Sequence, residues 1–286
     1  MQVPVTEKPT IAVPRIFPLL ILLSLLVALG ALVNEWLSPR PQLKPFDLVI
    51  ADPLKQMPDY SHITHVPWRK EAFFNVLLPL VVYENQRIAW QREQLLAAKA
   101  LLDSGQELVT KDEKLVADIA RYYGLQWPLT ENEWLTLLRR ADQVPLDLVL
   151  MQAANESAWG TSRFAQEGNN LFGQWCFSVG CGLVPERRVP GMNHEVRRFE
   201  TVLDSVQAYM RNINTHRAYR QLRLIRQNLR ESGIEATGVD LAPGLISYSE
   251  RRQAYVDEVI SMINSNLAFI DQALQLLLEE EVSATP

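Results

Sequence analysis

The sequence predicts a mainly α-helical domain with one small β element. Apolar residues recur at helical spacing over residues 69–103, 112–122, 131–140, 145–156, 204–212, 215–230 and 250–278. The segment 174–199 breaks that period with Gly, Pro and alternating side chains, as a loop and a two-stranded hairpin do, with Pro190-Gly191 in the turn region. Hydrophobic residues make up 48% of the 286, enough to fill a sizeable core. That length suits one large domain or two small ones.

The elements follow in order. Residues 1–15 carry Lys8 and Arg15 and lead into residues 16–37, an almost unbroken apolar run. About 20 such residues cross a bilayer as a helix. The preceding positive charges keep the N-terminus in the cytoplasm, and Trp36 falls at the far interface. A single-pass inner-membrane anchor is the expectation, with the rest of the chain in the periplasm. The alternative is a signal peptide cleaved near Ala28-Leu29-Gly30, which would free the protein into the periplasm. Residues 38–68 read as a proline-rich linker. Pro39, Pro41, Pro45, Pro53, Pro58 and Pro67 break helices and stiffen the spacer.

Residues 69–109 read as an amphipathic helix leading into the domain. Phe73, Val76, Leu77, Leu80, Tyr83, Ile88 and Leu95 mark its apolar side, Pro79 bends it, and Asp103-Ser104-Gly105 ends it. Residues 110–278 form the main domain and 279–286 a tail. Along the helix 215–230, Arg217, Arg220, Arg223, Arg226 and Arg230 face away from Leu222, Ile225 and Leu229. Such a basic face is ordinarily solvated; attraction of carboxylates or lipid headgroups is the alternative.

Several function classes are excluded or unsupported. The net charge of −5 gives no case for nucleic acid. No phosphate-binding or dinucleotide-binding glycine pattern occurs, no internal repeat is visible, and no cofactor is implied. Metal binding is not expected either. Cys176 and Cys181 would need further ligands, the four histidines are scattered, and His62 and His65 read as loop residues. In an exported chain the two cysteines are expected to pair as a disulfide.

The chemistry points to Glu156. Pro145 is a favoured first helical residue. Leu146, Val149, Leu150 and Ala153 then recur at helical spacing, and Glu156 lies one turn beyond Ala153, beside the apolar stripe. A carboxyl held against apolar surface acquires a raised pKa, which suits a general acid near neutral pH. The competing role is a helix cap or an Arg partner.

The run Ala-Asn-Glu-Ser-Ala-Trp-Gly-Thr-Ser over 154–162, then Asn169-Asn170-Leu171-Phe172-Gly173, resembles the bacterial glucosaminidase domain, glycoside hydrolase family 73, and within it the Bax-like branch. The likeness continues through Cys176 and Cys181, Phe199-Glu200-Thr201-Val202, Asn214-Thr215-His216-Arg217-Ala218-Tyr219 and Ile246-Ser247-Tyr248-Ser249. It covers roughly residues 110 to 270. It implies a lysozyme-like helical domain that hydrolyses glycosidic bonds next to N-acetylglucosamine in peptidoglycan.

A glycosidase commonly uses two carboxylates. Beside Glu156, the resemblance puts the second acid in the hairpin lobe, at Glu186, with Glu195 as rival. The chain departs from the family pattern here, since no Tyr follows Glu186. Tyr248 matches the family's Tyr motif, and its phenol could orient the substrate's acetamido group, itself a nucleophile in substrate-assisted glycosidases. The alternative is a packed Tyr bonded to backbone.

Trp159, Asn170, Phe172, Trp175 and Tyr255 complete the candidate substrate-binding set. Trp175, in the loop, is the expected sugar platform. Trp159 and Phe172 suit packing around the site as well, Asn170 suits ordering of its loop, and Tyr255 is either site wall or core. The expected function is therefore an endo-acting β-N-acetylglucosaminidase whose partners are peptidoglycan strands and, through its anchor, the membrane. The sequence names no protein partner. A lytic transglycosylase or muramidase, and a non-catalytic peptidoglycan-binding scaffold, are the alternatives.

Overall fold

A computed structural model describes residues 43–44, 52–186, 188 and 191–284, all within the compact unit Leu43–Pro286. The expected anchor at 16–37 lies outside the described residues. Among the described residues no helix is long and apolar enough to cross a membrane.

The fold is helical with one small sheet, as expected. Helix α1 (Val66–Asp103) is followed by α2 (Thr110–Tyr122), α3 (Glu131–Arg140), α4 (Leu146–Ser157) and the short α5 (Arg163–Gly168). Strands β1 (Trp175–Cys176), β2 (Gly182–Leu183) and β3 (Glu195–Arg197) come next. Then follow α6 (Val202–Thr215), a 3₁₀ turn (Arg217–Tyr219), α7 (Arg220–Glu231), α8 (Gly238–Leu241), a second 3₁₀ turn (Ala242–Leu245) and α9 (Gln253–Ala284). The closing helix thus continues past its expected end at 278. Capping boxes at Thr130/Glu133 and Thr201/Asp204 satisfy the first free amides of α3 and α6.

Helix α1 is not the amphipathic lead-in that its stripe suggests. Phe73, Phe74, Leu77, Leu78, Leu80 and Val81 are all buried, so the helix is covered on several faces and forms the spine of the domain. Its N-terminal half belongs to the main core with α4, α6 and α9. Its C-terminal half, through Leu95 and Ala98, forms a second cluster with Ile119, Tyr123, Trp134 and Leu137 of the α2–α3 region. The buried Asn85 of α1 donates to the Val144 carbonyl at 2.8 Å and accepts from its amide at 3.0 Å. That pair of bonds sets where α4 begins, and hence where Glu156 ends up.

The proline-rich segment is also more than a spacer. Over 52–65 it lies against the domain, with Met57 and Tyr60 buried in the main core. Its prolines deny it helix, but its apolar side chains still gain by leaving water.

The β lobe has three strands where a two-stranded hairpin is expected. β3 lies between β1 and β2, antiparallel to both, with Trp175 opposite Val196 and Leu183 opposite Val196 on the other side. Strands of two and three residues are too short for the alternation over 174–199 to reveal how many there are. Gly182 permits the pairing: a Cβ there would lie 1.9 Å from the Val196 carbonyl oxygen. Gly191 of the expected turn sits in a turn, and Pro190 lies outside the described residues.

Candidate active site

Glu156 stands at the last turn of α4, and the chain leaves that helix through a strained reversal. Ala158, Trp159 and Gly160 have φ of 51°, 58° and 77°, three consecutive left-handed residues. That conformation costs an L-residue about 1–2 kcal/mol, so the surroundings must hold it. Ser157 does so from within, donating to the Ala153 carbonyl at 2.6 Å and accepting from the Gly160 amide at 2.8 Å. Trp159 does so from outside. Its ring meets Phe73 and Phe74 edge-on at 5.7 Å, with the Lys70 ammonium 5.1 Å above it. The Glu-Ser-x-x-Gly spacing thus has a local cause, and Trp159 is a packed wedge.

The half-buried Glu156 carboxyl receives a directed chain of hydrogen bonds. The Tyr209 hydroxyl donates to Gln152 Oε1. Gln152 Nε2 donates to the Tyr255 oxygen at 2.9 Å, and the Tyr255 hydroxyl donates to Glu156 Oε1 at 2.8 Å. Gln152 and both tyrosines are buried. In such a low-dielectric setting each bond polarises the next. Burial is the dominant influence on Glu156 and holds its pKa above the ordinary glutamate value; the Tyr255 bond and the Arg251 charge oppose it, and the Glu258 charge reinforces it. Oε1 is therefore the acceptor of the pair, and Oε2 is free to carry a proton.

Four phenols surround this carboxyl. Tyr248 stacks on Tyr255 with ring centres 5.2 Å apart, and Tyr219 lies 6.0 Å from Tyr248. The pKa values of Tyr209, Tyr219, Tyr248 and Tyr255 are all raised, by burial first and by the Glu156 charge as well. They stay protonated as hydrogen-bond donors. The Tyr248 hydroxyl donates to the Phe172 carbonyl at 3.1 Å, the backbone partnership weighed against a substrate role.

The Asn-Asn-Leu-Phe-Gly loop closes over the same carboxyl. Asn169 accepts from the Met57 amide at 3.1 Å and donates to the Lys55 carbonyl at 2.9 Å, tying the loop to the proline-rich segment. Asn170 donates to the Gln174 and Arg197 carbonyls at 2.9 and 2.8 Å and accepts from the Phe172 and Gln174 amides. Its side-chain donors and acceptor are taken up by these backbone groups, so it orders the loop. Phe172 is 3% exposed and stacks on Tyr209 at 3.9 Å, so it supports the site from beneath and does not line it. Gly173, with φ of 64°, brings backbone beside the acid; a Cβ there would sit 3.8 Å from Glu156 Oε2.

The β lobe carries the remaining candidates. Trp175 is 55% exposed and stacks on the buried His194 ring at 4.1 Å. Cys176 and Cys181 form the expected disulfide. Glu195 accepts from the Gly180 and Gly182 amides at 3.0 and 2.8 Å, which pushes its pKa down and engages it in closing the disulfide loop. Glu186 lies on an exposed turn 3.7 Å from Arg163. Among the described residues, no hydrogen bond joins Glu186 or Glu195 to Glu156, Tyr248 or Tyr255.

The structure thus assembles Glu156, Tyr248 and Tyr255, keeps Trp175 at the lobe, and assigns Trp159, Asn170 and Phe172 to support. Sequence reasoning missed Gln152, Tyr209 and Tyr219. Gln152 left a signal: a polar residue on a buried stripe, one turn before Glu156 on the same face.

The glucosaminidase family, described as mannosyl-glycoprotein endo-beta-N-acetylglucosaminidase, matches residues 133–268, a span running from α3 into α9. Protein bax of Escherichia coli (strain K12) is 32% identical over 216 residues, covering 75% of this chain and 76% of the relative. No solved structure matches. With the Glu156 turn, the Asn-Asn loop and Tyr248 all inside the matched span, the chain belongs to the glucosaminidase family.

Proposed function

We propose that the protein is an endo-acting β-N-acetylglucosaminidase of peptidoglycan, with Glu156 as general acid. Family membership supports glycan hydrolysis. The observation that carries the catalytic reading is the half-buried carboxyl with one oxygen held by Tyr255 and a raised pKa. Glu156 delivers its proton to the leaving glycosidic oxygen as the bond breaks. The nucleophile that the geometry supports best is the substrate's own acetamido oxygen, since Glu195 is engaged by two amides and Glu186 is turned to Arg163. Tyr248 donates to the Phe172 carbonyl and keeps acceptor capacity for the acetamido N–H. Water then opens the cyclised sugar and returns a proton to Glu156. Residues 16–37 would anchor the enzyme in the inner membrane with this domain in the periplasm.

The test is digestion of purified sacculi with mass spectrometry of the new ends. Reducing N-acetylglucosamine ends are expected. Reducing N-acetylmuramic acid or anhydro-sugar ends would make the protein a muramidase or lytic transglycosylase. Strand binding without cleavage would make it a scaffold.

A further inference from the structure

A groove of about 760 Å³ lies beside the site, lined by Gln174 and Trp175 of the lobe, Tyr123 and Arg140 after α2 and on α3, and Arg211 and Tyr219 on and after α6. Gln174 directly follows Gly173, the residue that faces Glu156, and Tyr219 lies 6.0 Å from Tyr248, so the groove adjoins the site although Glu156 itself does not line it. Arg197 lines it too. No Asp or Glu lines it, although the chain as a whole has a net charge of −5. Among the described residues no carboxylate pairs with Arg140, Arg197 or Arg211.

Their placement is supported by contacts that leave donors over. Arg140 gives one donor to the Tyr123 carbonyl at 2.7 Å, and burial together with the Arg139 charge lowers its pKa. Arg211 gives its Nε to the Tyr122 carbonyl at 2.8 Å and lies over the Tyr122 ring. Arg197 lies over the Phe199 ring. A second cavity of about 620 Å³ shows the contrast: its Arg230 is held by Asp142 Oδ2 at 2.9 Å, and its Arg226 donates to the Asp142 and Gln143 carbonyls.

Resting on the glucosaminidase reading, the geometry points to Arg140, Arg197 and Arg211 as a subsite for carboxylates carried on the glycan strand. The enzyme then selects anionic strands over a neutral polymer of N-acetylglucosamine. Arginine suits this task, because its planar fork matches a carboxylate bidentately. Trp175 lies at the groove wall, so a pyranose face stacked on it would carry its acidic substituents towards the guanidinium groups.

The experiment measures binding by the full chain with Glu156→Gln, so that strands survive. Three polymers are compared at low and high salt: carboxylate-bearing strands, the same strands with carboxyls converted to methylamides, and neutral poly-N-acetylglucosamine. Amidation is expected to weaken binding by about tenfold or more and to abolish its salt dependence. Arg197→Gln and Arg211→Gln, each added to that chain, should weaken binding of the carboxylate strands about three- to tenfold and leave the amidated strands unchanged. Equal binding of free and amidated strands, or an equal loss on both in the arginine variants, overturns the subsite alone. Failure to bind any of the three polymers overturns the glycosidase reading and the subsite with it.

Discussion

Tyr255→Phe removes one oxygen from the middle of the hydrogen-bond chain and separates two effects. The first is on stability. The Tyr255 oxygen accepts from Gln152 Nε2 at 2.9 Å, and Gln152 is 0% exposed, so its amide loses that partner where water cannot replace it. The cost is about 1–3 kcal/mol, with ring burial retained by Phe. The second effect is on the acid. A hydrogen bond to a charged group is worth about 1.5–3 kcal/mol and one to a neutral group about 0.5–1.5. Losing the Tyr255 bond therefore penalises the ionised carboxylate more than the protonated acid, by about 1 kcal/mol. That bond is the largest influence opposing the burial that raises the Glu156 pKa, so removing it raises the pKa further. Glu156 works protonated, and activity falls as pH rises through its pKa, so the high-pH limb should move to higher pH. The assay is kcat/KM against pH on soluble strands, beside denaturant unfolding of both proteins. A limb that stays or moves to lower pH would refute the assignment of Tyr255 as the residue positioning Glu156. Unfolding at the wild-type denaturant concentration would refute the accounting for Gln152.

Other expectations follow from the same contacts. Glu156→Gln should lower turnover about 10²–10⁴-fold while strand binding persists; near-wild-type turnover, with contamination excluded, would remove the acid. Because burial raises the folded-state pKa of Glu156 above its unfolded value, the stability that this carboxyl contributes below the unfolded value is lost as pH rises through the folded one. The Gln variant should accordingly gain on the wild type as pH rises, and a constant difference across pH would contradict this. Asn170→Ala deletes four hydrogen bonds, one buried and three part-buried, and should cost at least about 2 kcal/mol in thermal or denaturant unfolding; an unchanged midpoint would show that the loop does not depend on it. Under substrate assistance Glu186→Gln keeps most activity and Tyr248→Phe loses it, whereas the reverse pattern establishes a two-carboxylate mechanism. Non-reducing peptide mapping of the protein purified without reductant should show Cys176 joined to Cys181, and two free thiols would contradict it. The loop they close is short, so the stabilisation belongs at the lower end of the usual ~2–4 kcal/mol.

Much of this site was legible along the chain because its key devices are local. A helix starting after Pro145 has to place Glu156 on the apolar stripe that begins at Leu146, whatever packs against it. Ser157 and Gly160 form their bond within one turn, and Asn170 closes a loop with residues two and four positions away, so their motifs carry their own geometry. What only the tertiary structure decided depends on contacts between distant residues. Tyr255 reaches Glu156 across 99 positions, and Tyr209 reaches Gln152 across 57; no spacing rule links them. The proline-rich segment looked like a tether because prolines forbid helix, yet Met57 and Tyr60 found a core to enter. The arginines show the same divide most fully. Five at helical spacing over 217–230 suggest a solvated basic face, but Arg223 and Arg226 are buried and donate to backbone carbonyls, and Arg230 is held by Asp142. The guanidinium groups left facing the groove come from α3, β3 and α6, elements that periodicity treats one at a time. Periodicity tells which side chains share a face of one element; which charges are neutralised depends on what the fold sets opposite them.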